Sequence, residues 1–146
     1  MLVPPLEVKS NRGSGYLTIP ADSLILQDNH HDGDICLDSI NRFNQVALTA
    51  NLEVVRNIRN HWKDIDSPRD GETIADYKKR RDAFEVFEKY AFFTIALMAE
   101  MGNEFYLTHK YDKRGRTYCQ GYHLTYQGNS WCKAVVEFAE KELVNV

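Results

Sequence analysis

Residues 111–129 read Tyr-Asp-Lys-Arg-Gly-Arg-Thr-Tyr-Cys-Gln-Gly-Tyr-His-Leu-Thr-Tyr-Gln-Gly-Asn, and we expect the fold to be arranged around this stretch. It places Lys113, Arg114 and Arg116 around Gly115, and tyrosines follow. Guanidinium groups bind phosphates and aromatic rings stack on bases, so the combination is typical of a nucleic-acid contact. Gly115 lets the backbone approach a ligand without an intervening Cβ atom. The alternative interpretation is a solvated turn between two strands with ordinary surface charge.

Length and composition fit one ordinary domain. The chain has 146 residues, a hydrophobic share of 43% and a net charge of -3, so any nucleic-acid contact has to come from a local basic patch. Cys36, Cys119 and Cys132 lack CxxC spacing, which indicates reduced thiols and no zinc site. No segment approaches the roughly 18 apolar residues of a membrane span, and no signal sequence is recognisable. We therefore expect a cytoplasmic protein without a membrane partner.

The first 34 residues are rich in turn-forming residues. They predict an extended lead segment with one short strand at residues 16–19. Residues 29–34, Asn-His-His-Asp-Gly-Asp, contain metal-ligand side chains, but two adjacent histidines cannot easily point at one ion. A polar loop that caps the next helix is the favoured interpretation. A nuclease that uses His30, His31 and Asp32 would need a denser cluster of carboxylates and histidines.

Residues 35–103 are predicted to form two helices separated by a break at residues 67–71. Apolar residues recur at steps of three and four from Ile40 to Trp62, which predicts one long helix over about residues 36–64. Asp34 or Asp38 is expected to begin it.

A second long helix is predicted over about residues 72–101 and should end at Gly102-Asn103. Its basic cluster at residues 78–81 faces either a nucleic-acid backbone or solvent, and the interspersed acids favour solvent. Its second half is so apolar that a sheet or a partner should cover it.

From residue 104 the hydrophobic period changes. Phe105 and Leu107 alternate with polar residues, which predicts a strand that leads into the basic stretch. Asn129 or Ser130 should cap a last helix over residues 131–141. The fold class is therefore α+β, with two long helices, a small antiparallel sheet fragment and a C-terminal helix.

The pattern Asp112-x-x-Gly115-Arg116, with Tyr118 and then residues 127–129, resembles the Asp/Thr-x-x-Gly-Arg motif of the phage and mitochondrial single-subunit RNA polymerases. The run Val-Pro-Pro at residues 3–5 and the turn at residues 13–16 resemble other segments of that family in the same order. The sequence departs from the family at Ser130, where an acidic residue is common, and at Leu48 and Ala50, where an aromatic residue and an isoleucine are usual.

The resemblance implies a role for each residue of the motif. Arg116 would touch the template or the RNA–DNA hybrid, and Arg114 would contact a phosphate. Asp112, Gly115 and Gly128 would support the motif. The other nucleic-acid-binding residues implied by the resemblance are Lys113, Tyr118, Gln127 and Asn129.

The resemblance also implies that the chain is incomplete as an enzyme. It corresponds to the smaller subunit of a split, two-chain phage polymerase, with a lead segment (1–34), a thumb-like region (35–103) and a palm fragment (104–146). The catalytic aspartates that bind two Mg²⁺ ions, and the fingers, would lie on a partner chain. We expect no catalytic residue and no metal site in this chain, and no polymerase activity from it alone. A single-stranded-DNA-binding loading factor is a further partner that the resemblance leaves open, and the location would be the cytoplasm of an infected cell.

The alternative is a non-enzymatic phage module that binds nucleic acid or protein.

Overall fold

The computed structural model describes residues 1–13, 33–112 and 114–144. These residues form four helices and two small antiparallel sheets, which confirms the prediction of an α+β fold. In chain order the elements are α1 (Leu37–Asn44), β1 (Leu48–Ala50), α2 (Leu52–Asn57), α3 (Ile74–Glu100), β2 (His109–Tyr111), β3 (Thr117–Cys119), α4 (Ser130–Val135) and β4 (Val136–Phe138). The strand predicted at residues 16–19 lies outside the described residues.

Each sheet joins two strands. β1 pairs antiparallel with β4, and Leu48 lies opposite Phe138. Phe105 also bonds to Leu48 through both backbone groups, at 2.8 Å each, and so extends this sheet by one bridge. β2 pairs antiparallel with β3, and Tyr111 lies opposite Thr117. Residues 112 and 114–116, between these last two strands, form the turn of a hairpin, and that turn contains the two arginines of the basic motif.

The prediction of one helix over residues 36–64 is wrong. α1 ends at Asn44, and the chain passes through β1 before α2 begins. Asn51 caps α2, because its side-chain oxygen accepts hydrogen bonds from the backbone N–H groups of Glu53 and Val54. A continuous helix would lose the hydrogen bonds of β1 to β4 and Phe105, and these tertiary bonds outweigh local helix propensity. The apolar spacing could not distinguish the two arrangements.

Neither expected aspartate caps α1 with its side chain. Cys36 precedes the helix in the left-handed conformation, at φ 51°, and Asp38 lies within the first turn. Asp34 instead accepts a hydrogen bond from the backbone N–H of Asn11, at 2.8 Å. Its carboxylate therefore ties the lead segment to the start of the helix.

The second long helix was predicted correctly to within two residues at its start and one at its end. Thr73 caps α3 by accepting a hydrogen bond from the backbone of Asp76, at 3.1 Å. The helix ends where Gly102 and Asn103 take positive φ values of 102° and 53°. The Asn103 side chain then bonds both backbone groups of Ala50, so it joins the end of α3 to β1.

The last helix is shorter than the predicted 131–141. Asn129 does cap α4, but the helix ends at Val135 and residues 136–138 become β4. Val136 is β-branched and therefore suits a strand, in which it lies opposite Ala50 of β1.

One apolar core joins α2, α3 and α4 to the β1–β4 sheet, with Cys119 of β3 packed against it. Its buried members are Leu48, Ala50, Ile95, Met98, Phe105, Leu107, Leu124, Trp131, Cys132 and Val135. A smaller cluster of Val8, Ile40 and Tyr111 packs at the end of β2. Residues 35–103 and 104–146 share the main core, and their division into thumb-like and palm regions stays a prediction.

Candidate nucleic-acid interface

The hairpin turn between β2 and β3 is closed by two backbone hydrogen bonds. The N–H of Asp112 donates to the carbonyl of Arg116, and the N–H of Gly115 donates to the carbonyl of Asp112, both at 2.9 Å. Gly115 has a φ of 79°, a conformation that side-chain-bearing residues adopt only at a cost. The glycine is therefore required by the turn itself, whether or not a ligand approaches it.

The Asp112 carboxylate organises this turn. One of its oxygens accepts hydrogen bonds from the backbone N–H groups of Arg114 and Arg116, at 2.8 and 3.0 Å. The other accepts from Arg114 Nη2 at 3.1 Å, from Arg116 Nε at 3.2 Å and from the Tyr118 hydroxyl at 3.2 Å. One carboxylate thus holds both arginines and the tyrosine in one arrangement.

Asp112 is ionised at neutral pH. Burial acts to raise its pKa, but the hydrogen bonds from Arg116 and Tyr118 and the charge of Arg116 act in the opposite direction and prevail. The pKa of this carboxyl is therefore lower than its ordinary value. Its single negative charge faces two guanidinium groups, so the turn keeps a net positive charge.

Both arginine side chains remain accessible. Arg114 is 64% exposed and Arg116 is 55% exposed, whereas the Asp112 side chain is 9% exposed. Arg116 lies beside the Tyr118 ring, 6.0 Å from its centroid. The terminal nitrogens of Arg116 make no hydrogen bond to any residue that the structure describes. Lys113 lies outside the described residues.

Gln127 is bonded to the hairpin from outside. Its side-chain nitrogen donates to the carbonyl of Thr117 at 3.1 Å, and its oxygen accepts from the N–H of Cys119 at 2.6 Å. The side-chain amide therefore pairs with the second edge of β3 as a neighbouring strand would. That it contacts nucleic acid stays a prediction, and the structure adds a supporting role for it.

Gly128 and Asn129 position the start of α4, and Asn129 joins it to the segment that follows α2. A Cβ atom on Gly128 would lie 2.8 Å from the Cβ atom of Cys132, closer than side chains normally pack. Asn129 accepts a hydrogen bond from the Cys132 N–H and donates one to the side chain of Asn60, both at 2.9 Å. Asn60 is fully buried. Asn129 and Asn60 are 69 positions apart, and no pattern in the sequence predicted their contact.

Replacing Asn129 with alanine should destabilise the fold by about 2 kcal/mol, because the helix cap is lost and the Asn60 oxygen is left without a donor. Urea unfolding followed by tryptophan fluorescence measures this change. Asn129→Ser keeps a capping oxygen and should lose only about half as much. Unchanged stability in the alanine variant would contradict the structural role and leave Asn129 as a surface contact.

In the basic cluster at residues 78–81, the two arginines pair with acidic side chains of this chain. Arg80 bonds Glu72 at 2.8 Å and the Asp64 carbonyl at 2.7 Å, and its side chain is largely buried. Arg81 pairs with Glu85 at 3.8 Å along the helix. Lys78 and Lys79 are exposed.

A buried histidine adjoins the hairpin and was not singled out from the sequence. His109 Nδ1 bonds the Asn44 side-chain oxygen at 2.9 Å, and Nε2 bonds the Tyr126 hydroxyl. Burial lowers the pKa of His109 to about 4 and raises the pKa of Tyr126 to about 12, so both are neutral at pH 7. They line an apolar cavity of about 520 Å³ together with Phe43, Leu48 and Phe138.

Within residues 1–13, 33–112 and 114–144, no three His, Cys, Asp or Glu side chains lie together as a metal site would require. Most of the histidine run at residues 29–34 lies outside these ranges. No helix in the described part of the chain has the length and apolarity to span a membrane.

A scan against protein-family models and a search of curated proteins each found no match to this chain.

Proposed function

We propose that this chain is a subunit of a phage-type DNA-directed RNA polymerase that contacts the DNA template and the RNA–DNA hybrid. The observation that carries the proposal is the turn in which Asp112 holds the guanidinium groups of Arg114 and Arg116 together on the surface. The sequence of this turn resembles the Asp-x-x-Gly-Arg motif of that polymerase family.

The geometry of the turn supports phosphate binding. Both arginines are attached to a hydrogen-bonded turn and share one carboxylate, so less side-chain entropy is lost when a ligand binds. The Arg116 guanidinium uses only Nε in its bond to Asp112, which leaves a pair of N–H groups for a phosphate fork. Tyr118 beside it offers a ring to a base or sugar.

In this proposal the partner chain performs the chemistry. It carries the aspartates that bind the Mg²⁺ ions and the fingers that bind the incoming nucleotide, and this chain positions the template. The pure chain would have no polymerase activity. A single-stranded-DNA-binding protein could load the pair on DNA in the cytoplasm of the infected cell.

The test is reconstitution with a candidate catalytic chain that carries the missing palm and fingers. RNA synthesis is measured on a primed single-stranded template for each chain alone, for the pair, and for the pair with Arg116→Ala. We expect synthesis only from the pair, and a loss of about tenfold or more with Arg116→Ala, because a charge-assisted contact near the reacting strands is removed.

Arg56→Ala is the matched control, because Arg56 is an exposed arginine on α2, outside the turn. It should leave the rate unchanged. Synthesis by the pure chain, or a pair indifferent to Arg116, would contradict the proposal.

The second candidate is a nucleic-acid-binding module that is not related to polymerases. The same turn supports it, because an exposed pair of arginines can bind a phosphate without a catalytic chain. Fluorescence anisotropy with a labelled RNA–DNA hybrid distinguishes the two. Salt-sensitive binding by the pure chain, weakened by Arg116→Ala but without any association with the catalytic chain, would favour the module.

A further inference from the structure

A cavity of about 520 Å³ is lined by residues of α1, β1, β2 and β4. Leu48 and His109 in its wall are buried, whereas Phe43 and Phe138 are 46% and 68% exposed, so the cavity extends from the core to the surface. Its volume is in the range of pockets that bind small organic molecules, and voids in well-packed domains are seldom larger than one water molecule. We call it the His109 cavity.

Aromatic rings form a large part of the wall of the His109 cavity. The ring centroids of Phe43 and Tyr126 lie 5.4 and 5.7 Å from that of His109, and the rings are tilted by 37° and 30°. Phe138 adds a fourth ring. Aromatic rings pack on one another in offset or tilted arrangements, so a flat aromatic ligand fits this wall better than a flexible alkyl chain. The aliphatic residues of the wall are Val46, Leu48 and Val136.

A hydrogen-bonded chain of three side chains gives the cavity an acceptor. Asn44 Oδ1 is an acceptor, so His109 Nδ1, 2.9 Å away, donates to it. In a neutral imidazole Nε2 is then an acceptor, and the Tyr126 hydroxyl donates to it. The Tyr126 oxygen keeps its lone pairs and makes no other hydrogen bond with a residue in the described ranges. Because His109 and Tyr126 both line the cavity, this oxygen is a hydrogen-bond acceptor for a ligand.

Glu137, the remaining residue of the wall, selects against a charged ligand. Its carboxylate is ionised, because hydrogen bonds from Lys141 and Asn51 lower its pKa. The negative charge repels an anion, and a cation gains little from it, because Lys141 and Asn51 already bind the carboxylate. Transfer of either kind of ion into an apolar cavity also has a high desolvation cost. A neutral ligand is therefore favoured.

We propose that the His109 cavity is a binding site for a neutral aromatic molecule of one or two rings that carries a hydroxyl or N–H group. The donor of the ligand bonds to the Tyr126 oxygen, and its rings pack against Phe43 and Phe138. A flat molecule of two fused rings has about ten non-hydrogen atoms, which a cavity of this volume accommodates. No residue of the arginine turn lines the cavity, and the proposal does not depend on the polymerase proposal.

Binding of indole to the full chain tests the site, because indole has two fused rings and one N–H donor. Binding is followed by two-dimensional ¹H–¹³C NMR through the methyl signals of Val46, Leu48 and Val136, which line the cavity. We expect these signals to shift in a saturable way with a Kd of about 0.1–1 mM, usual for a ligand of this size. Indene has the same shape without the N–H group and should bind about fivefold more weakly, because it has no donor for the Tyr126 oxygen.

Two variants locate the bound indole. Val136→Phe places a ring inside the cavity and should weaken binding by about tenfold or more. Val86→Phe is its control, because Val86 is 55% exposed on α3, away from the cavity, and it should leave the Kd unchanged. Phe138→Ala removes part of the wall and should weaken binding about threefold. Phe93→Ala, at a position that is 65% exposed on α3, is the matched control.

Phe138 is exposed, so Phe138→Ala keeps the fold even if Val136→Phe does not, and circular dichroism checks both variants. Loss of affinity in the cavity variants but not in their controls, together with weaker binding of indene, would support the proposal. Indole shifts that do not saturate, or that are unchanged in Phe138→Ala, would overturn it. Indene that binds as tightly as indole would overturn it too, because the cavity would then accept any apolar molecule of this size.

Discussion

Gly121→Ala is expected to destabilise the protein by about 3 kcal/mol or more, a large fraction of the stability of a small domain. A Cβ atom at this position would overlap the carbonyl oxygen of Leu124 and lie 3.1 Å from the Cβ atom of Thr125. The first of these neighbours is backbone, so no change of side-chain rotamer relieves the overlap. The turn that carries Tyr122 and His123 would have to open.

Opening that turn would propagate into the core. Leu124 is buried in the main apolar cluster, and Tyr122 and His123 pack on Phe87 of α3, with ring centroids 5.4 and 5.0 Å away. The loss of these contacts is measured by urea unfolding followed by tryptophan fluorescence. Gly33→Ala is the control, because a Cβ atom there meets no described residue within 4 Å. Equal midpoints for the two variants would show that the 121–124 turn relaxes at little cost.

The parts of the fold that the sequence predicted well are those that local signals specify. α3 has a capping threonine at its start and a Gly-Asn pair with positive φ at its end, and its bounds were close to the prediction. The basic hairpin turn was recognisable for the same reason, because Asp112, Gly115 and Arg116 interact within five consecutive residues. Such signals act over one turn of chain and need no knowledge of the rest of the molecule.

The errors fall where distant residues decide the local structure. Residues 48–50 have apolar spacing that suits a helix. They form a strand because they pair with β4 and Phe105, which are distant in sequence. The same pairing ends α4 early. The contact of Asn129 with Asn60 and that of His109 with Asn44 likewise join residues more than 60 positions apart. Hydrophobic periodicity carries no information about such pairs.

The structure also divides the candidate site into two kinds of residue. Arg114 and Arg116 are exposed and remain available to a ligand, whereas Gln127 and Asn129 bond to the protein itself. For this reason the arginines, rather than the whole motif, are the sharper test of nucleic-acid binding.

Acidification should destabilise the fold through His109, by about 3 kcal/mol in total. Its pKa is about 4 in the folded protein, against about 6.5 in an unfolded chain. Above pH 6.5 neither state binds the proton, and the stability is fully present. As the pH falls from 6.5 to 4 only the unfolded state is protonated, so stability declines by about 1.4 kcal/mol per pH unit and then levels off.

The effect of His109 is best measured between pH 7.5 and 5, where the free energy of unfolding should fall by about 2 kcal/mol. Asp112, with its lowered pKa, contributes a loss of the same sign only at more acidic pH, below the ordinary range of a carboxyl group. The pKa of His123 is also lowered by burial and adds to the loss in the same direction.

Urea unfolding at a series of pH values gives the free energy directly. His109→Gln keeps a donor and an acceptor for Asn44 and Tyr126 but cannot titrate, so its stability should be lower at pH 7.5 and much flatter towards pH 5. His61→Gln, at a half-exposed position beside Asp66, should retain the wild-type slope. If His109→Gln loses as much stability between pH 7.5 and 5 as the wild-type protein, the buried His109 is not the group that makes this fold sensitive to acid.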